Sequence, residues 1–385
     1  MKWVARYRLI SAPGDRVLPA CRVRLCGRER SCTTLARQRA GARAGAAMTA
    51  GGATRGRRAA RRLMAAALAV LTGAIAALAL YYTSLQPGAA LVAADFNRNA
   101  LVTPPPGFGA IAATVTERRV RILAPGAPAA HLDLYTPDAT AGKPRPVILW
   151  VHGGGFISSS AATVADYAIL LAHAGYPVAS LDYSLAPGSR YPLPVRQGNA
   201  ALRYLRAHAG QFGGDPDRIV LGGDSAGAQI ASQLAAVQTD PALARAMRIT
   251  AAVPAGALRG VVLFCGLYDM RTVAGTGFPA LRTYLWAYTG TRDWTSYPAI
   301  DQLSTTRHIT ARYPPTFLSV GDADPFRFQA AELASALKGA AVPLTTVFWT
   351  GTGDHLGHEY QFNFTLPQAR TAFRRVLDFL ATTRG

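Results

Sequence analysis

Beyond residue 115 the order of apolar and polar positions divides the chain into short, regular pieces. "TERRVRIL" (116–123) and "AHLDLYTP" (130–137) carry a period of two, the mark of half-buried strands, and the turn signals between them predict a β-hairpin. Unbroken apolar runs follow: "PVILWVHGG" (146–154), "PVASLDYS" (177–184), "RIVLGG" (218–223), "LRGVVLFCG" (258–266), "PTFLSVGD" (315–322) and "VPLTTVFW" (342–349). Helical stretches separate them at 161–174, 194–209, 225–237, 328–338 and 367–381. Short buried strands alternating with helices predict βαβ units, hence an α/β fold with a mostly parallel central sheet and helices on both faces. The interval 270–313 is aromatic-rich and too long for a plain connection. It is expected to be a small cap inserted between two strands; a crossover helix with a long loop fits the same pattern.

Ahead of this domain, 116–385, the pattern changes twice. Residues 83–115 read as a Pro/Gly-rich linker, with "TPPPGFG" at its centre. "LMAAALAVLTGAIAALALYY" (63–82) has no charge in twenty residues. As a helix it would be about 30 Å long, the thickness of a bilayer core, and it exceeds the usual apolar core of a signal peptide. A transmembrane helix is expected here, with Tyr81 and Tyr82 at the far interface. Arg55, Arg57, Arg58, Arg61 and Arg62 precede it and would keep its N-terminal side cytoplasmic, so the chain after it would emerge on the periplasmic side. A cleaved signal stays open, because Ala77-Leu78-Ala79 resembles a cleavage site. Residues 1–62 read as a basic, disordered leader. Met48 opens a self-contained targeting segment, and 1–47 are expected not to be native sequence.

Charge changes this picture less than its total suggests. Of 385 residues half are hydrophobic, and the net charge is +20. Residues 1–62 hold 16 Lys/Arg against 2 Asp/Glu, and the remainder holds 25 against 19. Most of the basicity belongs to the leader, which argues against nucleic acid as a partner. Cys21, Cys26 and Cys32 also lie in the leader, at a spacing that fits no zinc pattern, and Cys265 stands alone in the main domain. No metal, nucleotide or haem motif is found, so no cofactor is expected. Oligomeric state is open.

Two bare corners carry the candidate chemistry. Gly223-Asp224-Ser225-Ala226-Gly227 ends an apolar run and begins a helix. A capping serine needs neither glycine. A strained strand-to-helix turn that holds a hydroxyl out for attack needs both. "HGGGF" (152–156) follows an upstream strand, and consecutive glycines let backbone N–H groups approach a developing oxyanion closely.

At these motifs the chain resembles the α/β-hydrolase esterases related to hormone-sensitive lipase, over about 116–382. "LDYSLAPGSRYPLP" (181–194) is similar to a further stretch of that family, with Ser184 where arginine is usual. The resemblance implies an α/β-hydrolase fold, Ser225 as nucleophile, and an oxyanion hole built from the N–H groups of Gly154, Gly155 and Ala226. In it, His152 orients the loop and does not catalyse. The base falls after the last strand, in "TGTGDHLGHEYQF", where His355 and His358 compete; "GHEYQF" looks like the ending of a bacterial subgroup and favours His358. The acid falls between nucleophile and base. The family's Asp-Pro pattern selects Asp324, leaving Asp322 as a turn-stabilising carboxylate and Asp269 as a rival on the preceding strand.

The expected activity is hydrolysis of small or apolar carboxylic esters through an acyl-enzyme. A peptidase or polysaccharide deacetylase would use the same triad. A non-catalytic, membrane-anchored binding module stands outside that class.

Overall fold

The computed structural model describes residues 45–97, 101–138 and 144–384, with backbone alone for 45–55, 81, 82 and 95. The leader cysteines, most of the leader, and the side chains of Arg55, Tyr81 and Tyr82 lie outside the described residues.

Eight strands form one sheet: β1 (Val115–Ile122), β2 (Ala130–Pro137), β3 (Arg145–Val151), β4 (Val178–Asp182), β5 (Gly214–Asp224), β6 (Leu258–Phe264), β7 (Thr316–Val320) and β8 (Leu344–Phe348). Their order is β1-β2-β4-β3-β5-β6-β7-β8. β2 runs antiparallel to both its neighbours, and every other pairing is parallel. β1, at an edge, is largely exposed, whereas β3 and β7 are buried almost throughout. Each strand falls on a run whose periodicity predicted it. Helices Ala165–His173, Leu193–His208, Ser225–Thr239, Arg327–Gly339 and Pro367–Thr382 occupy the predicted crossovers. The chain therefore has the α/β-hydrolase fold, with β5 at the centre of the sheet and Ser225 at its carboxyl end.

Between β6 and β7 the long interval folds into short helical pieces, chief among them Leu281–Thr289 and Ile300–Leu303. The stretch read as a linker is more ordered than its composition suggests. Leu85–Phe96 is a helix in which Pro87 falls in the first turn, where a missing N–H costs nothing. Leu85, Ala89 and Val92 pack with Ile157, Ala186, Tyr284 and Ala287, and Phe96 meets Tyr284 edge-on at 6.0 Å. Further on, Thr103 exchanges backbone hydrogen bonds with Phe362 and Phe364.

The helix Gly45–Thr83 begins inside the segment read as leader. Its part Gly56–Leu80, 25 residues with mean hydropathy 2.4, is long and apolar enough to cross a membrane. Leu63, Val70, Ile75 and Leu78 on it are all exposed.

Candidate active site

The turn from β5 into helix Ser225–Thr239 is tight enough to explain its composition. A methyl on Gly227 would lie 2.0 Å from the Val151 carbonyl oxygen, and one on Gly223 would lie 2.6 Å from the Gly227 backbone. Ser225 itself adopts φ 50, a left-handed conformation that is costly for a side chain bearing Cβ. The sequence suggests an exposed corner; Ser225 is in fact only 6% exposed and faces a cavity lined in part by Phe278, Leu281, Tyr284 and Leu285 of the 270–313 interval.

Ser225 donates its hydroxyl proton to His358 Nε2 at 2.9 Å, and His358 Nδ1–H donates to Asp324 Oδ2 at 3.0 Å. A carboxylate only accepts, so this pairing selects the Nδ1–H tautomer and leaves the Nε2 lone pair facing the serine. Asp324 is fully buried, and its Oδ1 accepts the Phe326 N–H at 2.7 Å. His358 is held between aromatic faces, its ring centroid 5.0 Å from Phe278 and 5.4 Å from Phe326, both edge-on. Burial disfavours the imidazolium, but Cys265 and then Asp324 oppose it, and the net direction of the His358 pKa is well upward. Burial also pushes the Cys265 thiol up to about 12.

The rival residues have other partners. Asp322 accepts the N–H groups of His355 and Leu356 at 3.1 and 2.6 Å, which tightens the turn below His358. His355 is exposed, in a left-handed conformation. Asp269 accepts from Thr306 at 3.0 Å and faces Arg307 at 3.6 Å.

Gly154 and Gly155 have φ 99 and 60. A methyl on Gly154 would strike the Ser158 carbonyl at 2.3 Å, and one on Gly155 would strike the Tyr284 ring at 2.4 Å. Among the described residues no partner is found for the N–H groups of Gly154 and Gly155, and Ala226 N–H lies in the first helical turn, where none is available internally. His152 is wholly buried and stacked on Tyr183 at 4.3 Å, with Nδ1–H donating to the Gly153 carbonyl at 2.8 Å. Burial lowers its pKa to about 4, so it is neutral.

An apolar cavity opens beside Ser225, lined by Leu267, Phe278, Leu281, Tyr284, Leu285 and Phe326. It leaves about 10 Å³ for the centre of a water-sized group, room for roughly one such group. Cys265, His358 and Glu359 each bring one potential ligand atom within 4.8 Å of the others. Both imidazole nitrogens are already engaged by Ser225 and Asp324, so the trio offers no free histidine lone pair to a metal.

Two features here escape sequence reasoning. Asp224 Oδ1 accepts Trp150 Nε1–H at 2.9 Å and its Oδ2 accepts Gly153 N–H at 2.8 Å, fastening the glycine loop to the turn. Glu359 lies against the same carboxylate. The only signal for either was adjacency: one precedes Ser225 and the other follows His358.

The chain is 32% identical to esterase LipC of Mycobacterium tuberculosis over 166 residues, 43% of this chain and 40% of that protein. It is 27% identical to versiconal hemiacetal acetate esterase of Dothistroma septosporum over 245 residues, 61% of this chain and 72% of that one. The match thus spans less than half the length of the first relative. A solved bacterial heroin esterase superposes with a TM-score of 0.61 at 28% identity, covering 72% of this chain and 89% of its own. A family model described as alpha/beta hydrolase fold matches residues 148–358, more than half of the sequence. The chain belongs to the α/β-hydrolase fold family.

Proposed function

We propose that the protein is a serine carboxylesterase that works through an acyl-enzyme. Ser225 is the nucleophile, His358 the general base, Asp324 the group that orients the imidazole and stabilises its cation, and the N–H groups of Gly154, Gly155 and Ala226 the oxyanion hole. The observation that carries this reading is the unbroken chain Ser225 Oγ to His358 to Asp324, at 2.9 and 3.0 Å. His358 Nε2 takes the hydroxyl proton as Ser225 Oγ attacks the ester carbonyl, and the carbonyl oxygen gains charge opposite the glycine loop. The imidazolium then protonates the departing alkoxide, leaving an acyl-serine. Water, deprotonated by the same nitrogen, attacks the acyl carbon and restores the serine. The small apolar cavity favours a short acyl group. The names of the three relatives support ester chemistry over a peptidase, a polysaccharide deacetylase or a binding module.

Ser225→Ala in the full chain is the test, with p-nitrophenyl esters of increasing acyl length and a fluorophosphonate label as readouts. Loss of both turnover and labelling with retained folding is expected. A mutant with wild-type turnover overturns the assignment.

The apolar helix supports a further reading, that residues 63–82 anchor the protein in a cytoplasmic membrane with residues 116–385 as a periplasmic catalytic domain. The arginines before the helix favour that orientation. Carbonate-resistant membrane association and protease accessibility in spheroplasts are expected. A soluble, shortened product indicates signal cleavage instead, and protection from protease refutes the orientation.

A further inference from the structure

Two buried acids flank the candidate triad, and no step above uses either. Asp224 immediately precedes Ser225, is fully buried, and spends both carboxylate oxygens on N–H donors, Trp150 Nε1 and the Gly153 amide. Glu359 immediately follows His358, in a left-handed backbone conformation (φ 60) that turns it back toward the turn. Its carboxyl lies against that of Asp224. Both acids crowd the glycine loop: a methyl on Gly153 would meet Asp224 Oδ2 at 2.5 Å and Glu359 Oε1 at 2.9 Å. Glu359 Oε1 also lies 3.9 Å from His358 Nε2.

Two carboxyl groups share a hydrogen bond only if one is protonated. The contact itself raises the pKa of Asp224 and lowers that of Glu359, while the Trp150 and Gly153 N–H groups lower that of Asp224, so the pair holds one proton between them. The other titratable groups facing the pair are His358, Asp324, Cys265, Tyr167 and Tyr183. Only His358 among them can carry positive charge, and Asp324 already engages it. Among the described residues no further cation faces the pair, and burial pushes both acids upward, consistent with one proton retained at neutral pH.

We propose that Glu359 is a positioning residue: the proton its carboxyl shares with Asp224 clamps the loop bearing His358 to Asp224, and through Asp224 to Gly153, so that base, nucleophile and glycine loop hold one mutual geometry. The clamp joins residues 153, 224 and 359, which arrive from three separate strand ends. It rests on the reading of His358 as the base. It also sets an upper pH bound, because loss of the shared proton leaves two carboxylates repelling each other in a dry site.

The test compares wild type, Glu359→Ala, Glu359→Gln and Ser225→Ala as full chains, with kcat and KM for p-nitrophenyl acetate followed across pH. Glu359→Ala releases the clamp and is expected to lower kcat about 10- to 100-fold with little change in KM, the cost of a misplaced base. Glu359→Gln supplies an amide N–H to Asp224 and cannot ionise. It is expected to restore most of the lost kcat and to move the alkaline limb upward or abolish it, which mere space-filling would not do. Wild-type kcat and pH profile in Glu359→Ala overturn the clamp, as does a glutamine variant that is equally impaired with the limb unmoved. If the alanine variant does not fold, the limb of the glutamine variant decides alone. Undiminished turnover in Ser225→Ala overturns the esterase reading instead.

Discussion

Gly227→Ala tests how tightly the turn at Ser225 is built. The added methyl would stand 2.0 Å from the Val151 carbonyl oxygen and 2.5 Å from that of His152, against a limit of 3.0 Å for real contacts. Both obstacles are main chain at the end of β3, so neither rotates away. A gap of about 1 Å must open between helix Ser225–Thr239 and β3. Overpacking of this kind costs about 1–3 kcal/mol. At about 2–4 °C of Tm per kcal/mol for a domain of this size, the melting temperature should fall by roughly 2–12 °C. The reactive hydroxyl moves by a similar distance relative to the glycine loop, and about 1 Å of misplacement is worth on the order of 100-fold in rate. Thermal unfolding by circular dichroism and p-nitrophenyl acetate hydrolysis read the two effects. Gly256→Ala is the control: nothing lies within 4 Å of its would-be methyl, and Tm and turnover should stay near wild type. A Gly227→Ala protein matching that control in both measurements would refute the account of the turn.

The two histidines of the loop after β8 should separate sharply. His358→Ala is expected to lower kcat on the order of 10⁴-fold, while His355→Ala, an exposed side chain, leaves it within about threefold; the reverse ranking transfers the base to His355. The acid limb of kcat/KM should lie above the ordinary histidine value of about 6.5, because the neutral imidazole is the active form and the His358 pKa is held well upward. A limb at or below 6.5 in wild type contradicts the assignment.

Most of the sheet was legible because a buried parallel strand must be apolar on both faces, and such runs stand out between amphipathic helices. The corner motifs were legible for a related reason: steric exclusion at Gly223 and Gly227 leaves a compositional trace. The helix Leu85–Phe96 was not, since Pro87 and Gly88 read as breakers and its partners, Ile157 and Tyr284, are distant in sequence. The burial of Ser225 was hidden for the same reason, because the side chains around it come mostly from the interval between β6 and β7, distant in sequence. Asp324 and His358 were separable from Asp322 and His355 only through family likeness; each pair is two or three residues apart, and local pattern treats its members alike. The contact of Asp224 with Glu359 spans 135 positions, and nothing local to either residue announces it.

Phe278 belongs to the interval between β6 and β7, yet its ring meets the edge of the His358 imidazole and stacks on Phe326 at 4.4 Å. It also lines the cavity beside Ser225. On the proposed function, one side chain thus serves as a wall for the acyl group and as insulation for the base. If Ser225 and His358 act as proposed, tuning what the site accepts and tuning the pH at which it works are not separate tasks. A graft that exchanges the interval for one of another length should inherit a new acyl preference and a displaced acid limb together, and selection for either trait will drag the other.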